Sequence, residues 1–153
     1  MPKRLELENV SVIFKNFAGR ASNFNDEGDR NFSVLIRDQE VAQQLMEQGW
    51  NIKELRSTDE FEEVAYHLSV KVNYDSYYPP RIFIVKEGGE LTALDEASVS
   101  YLDYARIQSA DVQINPYSWS VSGKVGVKAY LSAMWVHIDA TTLEKKYMGD
   151  GYL

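Results

Sequence analysis

The sequence predicts a mainly β fold, a small barrel of about five to seven strands with one short capping helix. Three observations predict it. Apolar and polar residues alternate with period 2 in several stretches, the longest over residues 114–139. Successive side chains of a strand point to opposite faces, so such alternation is what a half-buried strand needs. Turn-forming residues separate the stretches, and only residues 39–48 carry clear helix start and stop signals.

The elements follow in order. Residues 5–14 form a first strand with Leu5, Leu7, Val10, Val12 and Phe14 along its apolar face; the alternation slips by one residue near Asn9, the mark of a bulge. Residues 15–32 make a polar loop that interleaves Lys15, Arg20 and Arg30 with Phe17, Phe24 and Phe32. Such rings either stack on a ligand or pack down onto the barrel. Residues 31–36 form the second strand. Asp38 then caps a helix over residues 39–48 that stops at Gly49, with Val41, Leu45 and Met46 as its apolar positions. Trp50, Ile52 and Leu55 continue the core, and the acidic residues 57–63 form a surface loop. Residues 64–74 alternate, with Tyr66, Leu68, Val70 and Val72 on one face and His67, Ser69, Lys71 and Asn73 on the other. A stiff tip with Tyr77, Tyr78, Pro79 and Pro80 follows, too tight to bury both tyrosines. Residues 81–86 are read as the returning strand of a hairpin.

A short segment at residues 91–93, a helix or turn at 95–102 and a strand at 103–114 lead to the longest stretch. There Asn115-Pro116 and Ser122-Gly123 are turn signals that bracket Tyr117 and Trp119 in a hairpin. Val125, Val127, Ala129, Leu131, Ala133 and Trp135 form an apolar file. Lys124, Gly126, Lys128, Tyr130, Ser132 and Met134 form the opposite, open face. Residues 140–153 lose the pattern and read as a loosely ordered tail. The expected plan is one OB-fold-like domain spanning residues 1–153, with a β-sandwich as the competing arrangement.

Composition narrows the function. The absence of cysteine rules out disulfides, thiolate catalysis and cysteine-bound metal centres. His67 and His137, the two histidines, both fall in strand-like alternation and read as ordinary strand residues. No apolar run approaches the roughly 20 residues of a membrane span. The first ten residues lack a secretory h-region, so a cytoplasmic protein is expected. A net charge of −7 opposes binding to phosphates overall, although acids gathered elsewhere leave room for a local cationic surface. No phosphate-binding glycine loop, dinucleotide fingerprint or nucleophile elbow is present, and no cofactor is expected. Asp26, Glu27 and Asp29 lie together in sequence and keep a metal nuclease as a rival; solvated loop acids are the commoner explanation.

Basic and aromatic residues recur side by side: Lys15 and Phe17 with Arg20, Arg30 with Phe32, Tyr77 and Tyr78 with Arg81, and Trp119 with Lys124, Lys128 and Tyr130. Cations that track a phosphate backbone and rings that stack on bases are what non-specific single-strand binding requires. A carbohydrate site would use the same rings with fewer cations.

The strings NFAGR and FNDEGDRNF (residues 16–20 and 24–32) and NPYSWSVSGKVGVKAYL (residues 115–131) resemble those of single-stranded DNA-binding proteins of tailed bacteriophages. KRLELENV, GWNIK and PPRI (residues 3–10, 49–53 and 79–82) extend the resemblance over nearly the whole chain. It implies an oligonucleotide-binding fold and a role in phage DNA replication or recombination, in the cytoplasm of the bacterial host. It directs attention to Phe17, Arg20, Arg30, Trp119, Lys124 and Lys128. One departure stands out: many such proteins end in an acidic tail that recruits partners, whereas Lys145 and Lys146 accompany Glu144 and Asp150 here.

The expected single-stranded DNA site therefore comprises Lys15, Phe17, Arg20, Arg30, Lys71, Tyr77, Tyr78, Arg81, Trp119, Lys124, Lys128 and Tyr130. No catalytic or metal-binding residue is assigned. Single-stranded DNA is the expected partner, with phage replication or recombination proteins and a second copy of the chain as further candidates. The rival from another class is a structural or virion β-domain whose aromatics form a protein interface.

Overall fold

The computed structural model describes residues 2–55 and 64–139. The acidic loop expected over residues 57–63 and the tail expected over residues 140–153 lie outside them.

Among the described residues the chain forms β1 (Leu5–Asn16), β2 (Asn31–Ile36), α1 (Gln39–Glu47), β3 (Ile52–Leu55), β4 (Ala65–Lys71), β5 (Arg81–Val85) and β6 (Leu91–Leu94). A 3-10 helix (Val99–Asp103), β7 (Arg106–Val121) and β8 (Lys124–Asp139) follow. The eight strands include the short β3, which the sequence reading took only as a continuation of the core.

β1 pairs with β2 and β7, β2 with β4, β4 with β8, and β8 with β7. Those five strands close a ring, and the one parallel contact within it, β4 with β8, completes the circuit. Full closure removes the exposed edges that an open sheet would present. This is the OB-fold-like barrel expected. The interior is filled by alternate residues of each strand, among them Phe32 and Val34 of β2, Leu68 and Val70 of β4, Val112 and Ile114 of β7, and Ala129 and Leu131 of β8. Outside the ring, β3 adds to β4, and the β5–β6 hairpin adds to β8.

Bulges set the phase of the long strands, and two of them decide which residues face the core. In β1 the register shifts between Leu7 and Val10, where Asn9 takes a φ of 53°, a left-handed conformation that asparagine tolerates. In β8 the register with β7 shifts between Gln113 and Ile114, leaving Ser132 as the extra residue. The core file therefore changes from Ala129 and Leu131 to Met134 and Val136, and the single apolar file expected from Val125 to Trp135 is broken. Met134 is fully buried rather than on the open face. Trp135 turns outward and stacks on Phe83 at 6.0 Å.

Helix α1 has the expected caps. The Asp38 carboxylate accepts hydrogen bonds from the Glu40 and Val41 N–H groups, and Gly49 ends the helix at a φ of 102°. Its buried residues are Ala42 and Leu45, while Met46 is partly exposed.

Two connections differ from expectation. β5 does not return against β4; it pairs parallel with β8, taking over the edge that β4 leaves. The register moves from Lys71–Tyr130 to Arg81–Ala133 across this changeover. Asn115-Pro116 is not a turn. β7 runs straight through it, and β1 stops at Leu5–Ile114, so Pro116 stands on an edge stretch where a strand tolerates proline. The hairpin turn is Ser122-Gly123, with φ values of 51° and 81°, the paired positive angles of a type I′ turn.

Candidate nucleic-acid interface

β7 and β8 pair beyond the point where β1 ends, and their outward residues share one surface. Trp119 lies opposite Gly126, Tyr117 opposite Lys128, and Val121 opposite Lys124. The Trp119 indole rests directly on Gly126: a Cβ there would come within 2.5 Å of the ring. Glycine is thus required for this seat. Tyr117 and Tyr130 meet edge to face at 5.7 Å. Lys124 and Lys128 are exposed on either side of the indole. Next to Tyr130, across the β4–β8 pairing, stands Lys71, whose ammonium lies 3.7 Å from the Asp29 carboxylate. Lys71, Trp119, Lys124, Lys128 and Tyr130 therefore occupy one continuous outer face. The arrangement offers cations, exposed at Lys124 and Lys128, beside rings of which at least one, Tyr117, is more than half exposed.

The N-terminal members of the expected set are placed differently. Phe17 is fully buried and stacks on Phe32 at 5.2 Å, so it presents no ring face to solvent. The Lys15 ammonium donates to the carbonyls of Leu102 and Ala105, closing the end of the 3-10 helix. Burial lowers its pKa, with Asp103 acting in the opposite sense. Arg30 donates to the Phe17 carbonyl at 2.6 Å, approaches Glu96 at 3.6 Å and lies over the Tyr74 ring. These three fasten residues 17–30 to the barrel. Arg20 remains exposed, its guanidinium over the ring of Tyr104 and bonded to that tyrosine's hydroxyl.

Tyr77 and Tyr78 are exposed, as expected, and touch edge to face at 5.0 Å. Arg81 opens β5 on the outward side, two residues before Phe83.

Several residues join the outer face that the sequence reading left out of the site. Tyr117 is set there by its pairing with Lys128. Phe14, placed among the inward residues of the first strand, is 60% exposed and meets His67 edge-on at 5.4 Å. Lys53 pairs with His67 from β3. The His67 pKa is lowered by burial and by Lys53. The signal for Phe14 lay in a second irregularity of β1, between Ile13 and Asn16, which no alternation marks. Among the described residues, no three His, Asp or Glu side chains are grouped so as to hold a metal ion.

The chain matches the family model described as "Putative phage ssDNA-binding domain" over residues 1–150. Among solved structures it resembles the single-stranded DNA-binding protein from bacteriophage Enc34 in complex with ssDNA, at a TM-score of 0.58 and 11% identity, covering 90% of this chain and 88% of that one. A C-terminally truncated form of the Enc34 protein gives a TM-score of 0.57 at 12% identity, over 90% and 87% of the two chains. Identities this low speak to the fold. No curated protein matches the sequence. The family match spans nearly the full length, and the chain belongs to the phage ssDNA-binding domain family.

Proposed function

We propose that the protein is a non-catalytic coat for unpaired DNA, binding without reading sequence and acting in phage DNA replication or recombination in the host cytoplasm. The observation that carries this reading is the outer face of the β7–β8 ribbon. There Trp119 is seated on Gly126 between Lys124 and Lys128, with Tyr117, Tyr130 and Lys71 adjoining. Lysines neutralise any phosphate, and an aromatic face accepts any base, so this mixture favours single strands and ignores their sequence. Duplex DNA hides its base faces and would offer the rings nothing. Family membership supports the reading, and so does the neighbouring structure described in complex with ssDNA. Protection of the strand follows from occupancy, with no chemical step.

The overall charge of −7 is compatible with this because Lys53, Lys71, Lys124 and Lys128 point outward from the adjoining strands β3, β4 and β8. Titrating the protein's tryptophan fluorescence with oligo-dT tests the proposal. Saturable quenching is expected, with a duplex of equal length binding more weakly. A flat titration, or a preference for duplex, overturns it.

A further inference from the structure

Among the described residues, Phe14 is the bulkiest with a left-handed backbone, at a φ of 51°. A large side chain there is strained, and such strain persists where something else depends on the position. What the strain achieves is visible. The irregularity between Ile13 and Asn16 turns the Phe14 ring out of the barrel, where it is 60% exposed. It reaches over β2 to meet His67 of β4 edge-on at 5.4 Å. On β2 the direct partner of His67 is Leu35, and the diagonal neighbour Ser33, small and 4% exposed, is hydrogen-bonded through its hydroxyl to His67 Nδ1 at 3.1 Å. That bond holds the imidazole against the phenyl ring, which remains 60% exposed. Lys53, cross-strand partner of His67, places an exposed cation beside the pair.

A held, solvent-exposed ring with a neighbouring cation is the minimal unit that holds one nucleotide of a single strand. The unit faces the same way as Ser69, Lys71 and Lys128. From strand spacing and rise, His67 and Lys128 lie on the order of 10 Å apart. We infer that Phe14, His67 and Lys53 form a further nucleotide-binding subsite, one base stacking on Phe14 and its phosphate meeting Lys53. It extends the track from the β7–β8 ribbon across β4 and β2 toward β1. This rests on the proposed reading of the outer face as a single-strand track.

Phe14→Asn in the full chain tests it, because asparagine accepts a left-handed φ without strain. The thermal midpoint is expected to hold or rise, while affinity for an oligo-dT of about 16 nucleotides falls about tenfold, the size of one lost stack. Phe14→Tyr, which keeps a ring, restores the wild-type curve. Unchanged affinity in Phe14→Asn overturns the subsite. So does a drop in thermal midpoint accompanying the loss, which would assign Phe14 to packing. Lys124→Glu with Lys128→Glu, titrated in parallel, separates this from the wider reading. If that variant loses binding and Phe14→Asn does not, the track stands and the subsite falls. If neither loses binding, both fall.

Discussion

Gly126 and Trp119 illustrate how much of the site is decided by single side chains. The indole occupies the space that any Cβ at position 126 would need, at 2.5 Å. Gly126→Ala must therefore lift the ring off the ribbon. The expected outcome is a shifted tryptophan emission spectrum and affinity for oligo-dT weakened by about 1–3 kcal/mol, the range of one base–ring stack; an unchanged spectrum and titration would contradict the seat. The sequence places Gly126 on this face but does not say what lies over it. The same scale shows where residue types mislead. Lys15, Phe17 and Arg30 alternate cation and ring just as Trp119, Lys124 and Lys128 do. Yet Lys15 closes carbonyls, Phe17 fills the core and Arg30 ties down a loop. A loop sequence carries no periodicity to say which way each residue points, so composition alone made these equal candidates. Phe14 is the reverse case, hidden because a bulge reversed its expected direction.

At the scale of elements, alternation was legible wherever a strand was regular. β2, β4 and β8 from Val127 to Leu131 follow their sequence pattern, whereas Val125 near the ribbon's tip is 80% exposed; the β1 bulge announced itself at Asn9. The β8 bulge at Ser132 did not, because Ala133 and Trp135 are apolar and continued the file in appearance. The β4–β5 connection was misread for a related reason. Two strands joined by a tight Pro-Pro tip look like a hairpin, and only the register along β8 reveals that they run in the same direction. Helix α1 was legible from its caps, which are local chemistry. Its buried residues, Ala42 and Leu45, serve the core rather than the proposed site, so its cap makes a useful contrast. Asp38→Ala is expected to lower stability by about 1 kcal/mol through the lost bonds to Glu40 and Val41, with oligo-dT affinity unchanged at temperatures where the fold is intact. Denaturant melts and titrations on the same sample check both halves. A loss of affinity would tie the helix to the binding surface.

For the whole molecule, an acidic chain is asked to hold a polyanion. Ring closure is what permits it. Five strands wrapped on themselves have one inside and one outside, and the register of β3, β4, β7 and β8 turns four lysines outward along neighbouring strands. Local potential, rather than net charge, then governs association. The clearest measurement is affinity for oligo-dT across a series of salt concentrations, for the wild type and for Lys124→Ala with Lys128→Ala. Each phosphate contact on a single strand contributes about −0.7 to the slope of log affinity against log salt. The account predicts weaker binding by the double variant and a slope shallower by about 1.4; equal affinity and equal slope for the two proteins would contradict it.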